Sequence, residues 1–224
     1  NTGSKIRRSN YRLLSTIAWK IGGKTTYALE GGAFTAGASV QWLRDGLGLI
    51  KKSADVEKLA QSVSTSDGVV FVPGFTGIGA PHWMPHARAT FFGISRGTTK
   101  AHIARSVLQG IALMNNDILK AMEQDLGSHM RSLNVDGGAS KNNLLMQYQA
   151  DILGTQLMRP KMVETTALGA VFAAGLGIGI WADLSEIEAT WKQDKTFHPS
   201  MTKATRIQQL KEWADAIECL KHKS

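Results

Sequence analysis

Cysteine is almost absent: Cys219 stands alone in 224 residues. That excludes a disulfide framework and a cysteine-based metal site, and it suits a reducing compartment. Long basic runs are missing too. Lys plus Arg exceeds Asp plus Glu by 26 to 18, yet no basic run goes beyond Arg7-Arg8 or Lys51-Lys52. Nor do aromatics interleave with the charges as single-strand binders require, so nucleic acid is not an expected partner. The net charge of +8 still favours anions, phosphate-bearing metabolites among them. Repeats and low-complexity tracts are lacking. So are a signal peptide and an initiator Met, and the opening Asn1-Thr2-Gly3 reads as cut from something longer. The ending Lys221-His222-Lys223-Ser224 is not a peroxisomal tripeptide, which leaves the cytoplasm as the default expectation.

One uncharged run, the 18 residues from Thr165 to Ala182, sits at the lower edge of a membrane span. Gly169, Gly175, Gly177 and Gly179 weaken a helix where a span needs continuity. Glu164 followed by Thr165 and Thr166 reads as a capped helix start, so a buried core helix is expected instead of a span.

What is present belongs to a globular protein: 43% hydrophobic and 20% charged residues, in a length that makes one large domain or two small ones. Arg12 to Trp19, the turn Gly22-Gly23 and Thr25 to Leu29 predict a β-hairpin. A helix is expected from about Ala33 to Ile50, where Ala36, Val40, Leu43, Leu47 and Ile50 form one stripe. Gly31, Gly32 and Gly37 at its start are poor for helix stability. They either bring backbone N–H groups close to phosphate oxygens or permit close packing. A short helix from Asp55 to Val63 and a strand from Val69 to Val72 precede a long loop, Gly74 to Ala89. His82 and His86 have a metal spacing only if helical, and Pro85 between them argues against it. After a strand from Thr90 to Ile94, the stripe Ile103, Val107, Ile111, Met114, Ile118 and Met122 gives the clearest helix, over His102 to Met122. The last helix is expected to bury Ile207, Leu210, Trp213, Ile217 and Leu220.

The stretch around which the rest is arranged is Val135 to Asn143. Leu133 to Val135 reads as a short strand, Gly137-Gly138 as a tight turn, and Leu144 to Leu153 as a helix. Ser140, Asn142 and Asn143 are helix-capping types, so the junction is a plausible nucleotide seat. A Gly-Gly turn serves equally well for shape alone. A further strand is expected from Gln156 to Met158.

Five ordered motifs resemble the glycerol kinases of the FGGY carbohydrate-kinase family. They are Tyr27 to Gly31 with Ala36 to Asp45, then Phe75-Thr76-Gly77-Ile78-Gly79-Ala80-Pro81-His82-Trp83. Next come Ala89 to Ile94 with His102 to Gln109, Asp136-Gly137-Gly138-Ala139, and Thr166 to Ala170. The resemblance implies an α/β fold of the actin, Hsp70 and hexokinase type (ribonuclease H-like), a mixed sheet with helices on both faces. On this reading residues 1–224 are the C-terminal kinase domain lacking its first strands, and the N-terminal substrate domain is absent. It implies ATP and Mg²⁺ as cofactors, with Gly138 and Asn142 at adenine and ribose and Gly37 and Gln41 near the phosphates. Glycerol would bind through the missing domain, the general base would lie upstream of Asn1, and the full-length protein would be a homo-oligomer. Met84, Ala89-Thr90 and Gln109 depart from the family pattern. Two alternatives stay open: a non-catalytic nucleotide-binding fragment, or a kinase for another polyol or ketose.

Overall fold

The Gly22-Gly23 turn joins an antiparallel hairpin of β1 (Leu14–Ile21) and β2 (Lys24–Glu30). Both turn glycines adopt positive φ, 55° and 78°, which a tight hairpin turn demands. The computed structural model describes residues 1–221, and the tail from 222 to 224, read above for a targeting signal, lies outside the described residues.

Helix α1 (Gly37–Asp45) is shorter than the 33–50 span its stripe suggests. Gly46 and then Gly48, at a φ of 63°, end the helical course before Leu49 and Ile50 return to the core. Helix α2 (Asp55–Gln61) follows, and β3 (Val70–Val72) pairs antiparallel with β4 (Thr90–Phe92) across the long loop.

The central element is the 27-residue α3 (Lys100–Leu126). Thr99 and His102 cap its start reciprocally, and Gly127 closes it in the left-handed conformation. Gly110, midway along, lets α3 lie directly on β3: an added Cβ would stand 2.2 Å from the Phe71 carbonyl oxygen. Strand β5 (Ser132–Asn134) then leads through a 3-10 turn into α4 (Asn143–Leu153) and β6 (Gln156–Pro160). After α5 (Thr165–Gly177) and α6 (Leu184–Ala189) comes β7 (Gln193–Phe197), and α7 (Lys203–Lys221) completes the described chain.

The sheet carrying the central turn has the order β5-β6-β7, with β5 parallel to β6 and β7 antiparallel to it. The fold is therefore mixed α/β, as expected. The main core gathers Leu43, Phe71, Val107, Leu108, Leu145, Ile152, Leu157 and Trp213 from α1, β3, α3, α4, β6 and α7.

Two burial expectations are overturned. The uncharged run does form a helix from Thr165, but only Gly175 of α5 is buried, while Val171, Ile178 and Ile180 are 55%, 78% and 64% exposed. Apolar composition states what a helix prefers, whereas burial requires a neighbour. Here Trp181 folds back on Gly175 and Phe172 and covers little else. Ile207 is likewise exposed, near the start of α7, ahead of the stretch where Trp213, Ile217 and Leu220 pack. Among the described residues no helix is long and apolar enough to cross a membrane.

Candidate functional site

The central turn is fixed from below and open above. Gly137, at a φ of 78°, donates its N–H to the Val163 carbonyl at 2.8 Å, tying the turn to the segment after β6. Gly138 opens the 3-10 turn, in which the Ser140 hydroxyl donates to the Gly137 carbonyl at 2.7 Å. Asn142 is the N-cap of α4, its Oδ1 accepting from the Leu145 N–H at 2.9 Å. Such caps satisfy one of the otherwise unpaired donors at a helix start. The neighbouring Leu144 N–H goes to the Glu57 carboxylate of α2 at 3.1 Å.

Underneath lies a residue that sequence patterning did not single out for a role. Arg159 of β6 is 9% exposed and donates from Nη1 to the Ser140 carbonyl at 2.7 Å and to Asn143 Oδ1 at 3.2 Å. Its other edge meets Asp194 of β7 at 2.7 Å, and its guanidinium stands 5.4 Å over the Phe197 ring. The planar fork of arginine serves several acceptors in one orientation. Its partner strand β7 was missed because Gln193-Asp194-Lys195 shows no apolar alternation, and without β7 the role of Arg159 is invisible. The Thr165 hydroxyl donates to Asp136, fastening the strand end to the start of α5.

The second pair of candidate residues lies on α1. Ser39 and Leu43 are fully buried on its inner face, and Trp42 stacks on Phe71 with ring centroids 6.3 Å apart. Gly37 and Gln41, one turn apart, face outward and are exposed. The N-cap, Ala36, makes no side-chain cap bond. The Ser39 N–H donates to the Ala36 carbonyl at 3.1 Å, which leaves the Gly37 and Ala38 N–H groups at an exposed helix start with no capping side chain, an arrangement that favours an anion.

Gly138 and Asn142 thus share one turn, and Gly37 and Gln41 share one helix face. Among the described residues no hydrogen bond joins the two pairs directly. Helix α2 connects their supports: Arg44 of α1 donates to the Ser53 hydroxyl at 3.2 Å, just ahead of α2, and Glu57 holds the first turn of α4.

Neither Gly37 nor Gly138 is needed for the fold. Neither has positive φ, and a Cβ built on either would meet no atom within 4 Å. Gly137, by contrast, has a backbone that side chains resist, and Gly110 has no room for a Cβ. Two glycines with neither reason leave smooth backbone facing open space at two helix starts.

The acids near these residues are engaged. Asp45 pairs with Arg44 at 2.7 Å, and the hydrogen bond from that guanidinium holds its carboxyl below the usual range. His82 meets Asp117 at 2.7 Å, and the same carboxylate oxygen accepts the Trp213 indole N–H at 2.7 Å. Its partner is therefore a carboxylate rather than His86. Among the described residues no three His, Cys, Asp or Glu side chains gather as a metal site.

The described residues form an α/β domain with a Gly-Gly turn between strand and helix, held by a buried arginine. Comparison with known proteins narrows the class. Residues 6–178 match the FGGY family of carbohydrate kinases, C-terminal domain, and the chain belongs to that family. Glycerol kinase from Bdellovibrio bacteriovorus is 57% identical over 219 residues, covering 97% of this chain and 44% of the relative. Glycerol kinase from Paraburkholderia phytofirmans is 55% identical, covering 99% of this chain and 44% of the relative. Among solved structures, Plasmodium falciparum glycerol kinase with ADP superimposes with a TM-score of 0.86 at 37% identity, covering 98% of this chain and 44% of that one. A gluconate kinase from Lactobacillus acidophilus gives a TM-score of 0.80 at 25% identity, covering 97% of this chain and 44% of that one. The chain thus spans a little under half the length of the relatives it matches.

Proposed function

We propose that this chain is the ATP-binding half of a glycerol kinase, a C-terminal domain that works with an N-terminal substrate domain in the whole protein. The observation that carries this reading is the pair Gly37 and Gly138, glycines whose backbone and packing do not require glycine. A flat ligand needing close approach supplies the missing reason. The adenosine rests on Gly138 and beside Asn142, while the exposed N–H groups at the start of α1, with Gln41, meet the phosphates. Bound ATP supplies the γ-phosphoryl group that a glycerol hydroxyl takes up, giving glycerol 3-phosphate and ADP. Phosphoryl transfer needs positioning and neutralisation of charge more than covalent chemistry, and positioning is what Arg159, Glu57 and the cap at Asn142 provide.

The residues present fit a nucleotide but do not build a magnesium cage. Mg²⁺ would come with the nucleotide and would neutralise charge on its phosphates, while the exposed N–H groups at the start of α1 and Gln41 would hold those phosphates. The general base and the glycerol contacts belong to the substrate domain, consistent with the engagement of Asp45 and Asp136 here. The setting is the cytoplasm, and the whole protein is a homo-oligomer, for which the exposed Val171, Ile178 and Ile180 offer surface to cover.

Two measurements on the whole protein test the proposal. Calorimetry should show ADP·Mg binding, and a coupled assay should show ADP formation dependent on glycerol in preference to gluconate, xylulose or ribulose. Turnover only with a ketose or gluconate would reassign the substrate. Nucleotide binding without turnover on any of them would leave a non-catalytic module.

A further inference from the structure

A cavity lies away from the Gly-Gly turn, between the second half of α3, the starts of β5 and β6, and the first turn of α7. Its volume is about 160 Å³, and its polar lining comes from Asn116, Lys120, Glu123, His129, Thr155 and Arg206. That is roughly ten times the room one water molecule requires.

Asn116 is 1% exposed, and among the described residues its Nδ2, closed off behind the cavity wall, has no hydrogen-bond partner. An unpaired buried donor is costly, and native structures seldom carry one without a reason. Among the described residues Lys120, one turn further along α3, has no ion-pair partner. Arg206 spends Nε and Nη2 on the Ile152 and Leu153 carbonyls, both at 2.7 Å, so its charge faces no carboxylate. Among the described lining residues Glu123 is the one acid, and its Oε1 receives both His129 Nδ1 at 2.6 Å and the Met130 N–H at 2.8 Å. Thr155 donates its hydroxyl to the Met130 carbonyl at 3.2 Å and stands 3.5 Å from His129 Nε2. Donors and positive charge therefore exceed acceptors and negative charge.

We propose that this cavity is a ligand site separate from the nucleotide seat and that it takes a small phosphate-bearing anion. Lys120 Nζ donates to the phosphate oxygens while Arg206 supplies uncompensated charge, and Asn116 Nδ2 lies just behind the lining. A phosphate with three acceptor oxygens matches this excess of donors, and charge-assisted bonds of this kind are the strong ones.

Thermal shift and calorimetry of the whole protein test it, with potassium phosphate titrated against potassium chloride at matched ionic strength. The expected result is a saturable phosphate-dependent rise in Tm that persists in Gly138→Val. Lys120→Met should weaken the apparent affinity by about ten-fold or more, the loss of one charged hydrogen bond. Lys120 is exposed and its replacement spares the fold, so that variant decides the matter. Tighter binding of glycerol 3-phosphate than of inorganic phosphate would identify a phosphomonoester as the ligand, and equal binding would identify phosphate itself. No saturable effect up to tens of millimolar (about the weakest binding of interest), or equal binding in Lys120→Met, overturns the proposal. A shift that disappears in Gly138→Val overturns it too, because the phosphate would then be in the nucleotide seat.

Discussion

Gly138→Val separates ligand binding from folding. The glycine lies outside the positive-φ region, and a Cβ there meets nothing within 4 Å, so the new side chain enters open space. Exposed substitutions of this sort change stability by about 0.5 kcal/mol at most, which for a domain of this size moves Tm by about 2 °C. The effect on nucleotide binding is of another order. The isopropyl group fills the space assigned to adenosine and lifts the ligand from the backbone. Loss of stacking and of the ribose contacts should cost about 3 kcal/mol or more, a fall of about a hundred-fold in affinity. Calorimetry with ADP·Mg, run beside thermal melts, reads both numbers. Gly110→Ala is the matched control. Its Cβ would come within 2.2 Å of the Phe71 carbonyl oxygen, so it should lose about 3 kcal/mol of stability or fail to fold. Unchanged ADP affinity in a well-folded Gly138→Val protein would refute the seat. A collapse of Tm in that variant would refute the claim that the glycine is dispensable for folding.

Arg159→Gln should destabilise the protein by about 1–3 kcal/mol, because the buried Ser140 carbonyl loses its donor, and should weaken ADP binding through the loosened turn; paired denaturant melts and calorimetry check both. Asp117→Ala should cost about 2–3 kcal/mol in denaturant melts, since the Trp213 indole, 2% exposed, and His82 lose their shared acceptor. Asp183 caps α6, and its carboxyl is held below the usual range first by the Ser185 hydroxyl and then by the Glu186 and Ser185 N–H groups. A carboxyl lowered in the folded state stabilises above its unfolded value, and that stabilisation goes as pH falls through the folded one. The Ser185 and Glu186 amide NMR signals should therefore titrate together below the ordinary carboxylate range, and independent titration would contradict the cap.

Legibility in the sequence followed periodicity and neighbours. The hairpin, α3 and the strand-turn-helix at Gly137-Gly138 were readable because glycine pairs and unbroken stripes mark them, and their boundaries fall within a few residues of expectation. Helix α1 was read too long because its stripe continues through Leu47 and Ile50, while Gly46 and Gly48 turn the backbone aside. Strand β7 and α6 were missed since edge strands and short exposed helices carry no apolar period. The exposure of α5 was unreadable for a different reason: no local pattern says whether a partner covers an apolar helix. At the site, Asn142 was legible as a capping type. The supports from Arg159 and Glu57 were not, because each reaches the turn from a distant part of the chain.

The most direct test of the central claim is a structure of the whole protein with ADP bound. Adenosine should lie against Gly138 and Asn142, with the phosphates at the start of α1 near Gly37 and Gln41. ADP found elsewhere, with those four residues facing solvent, would contradict the account.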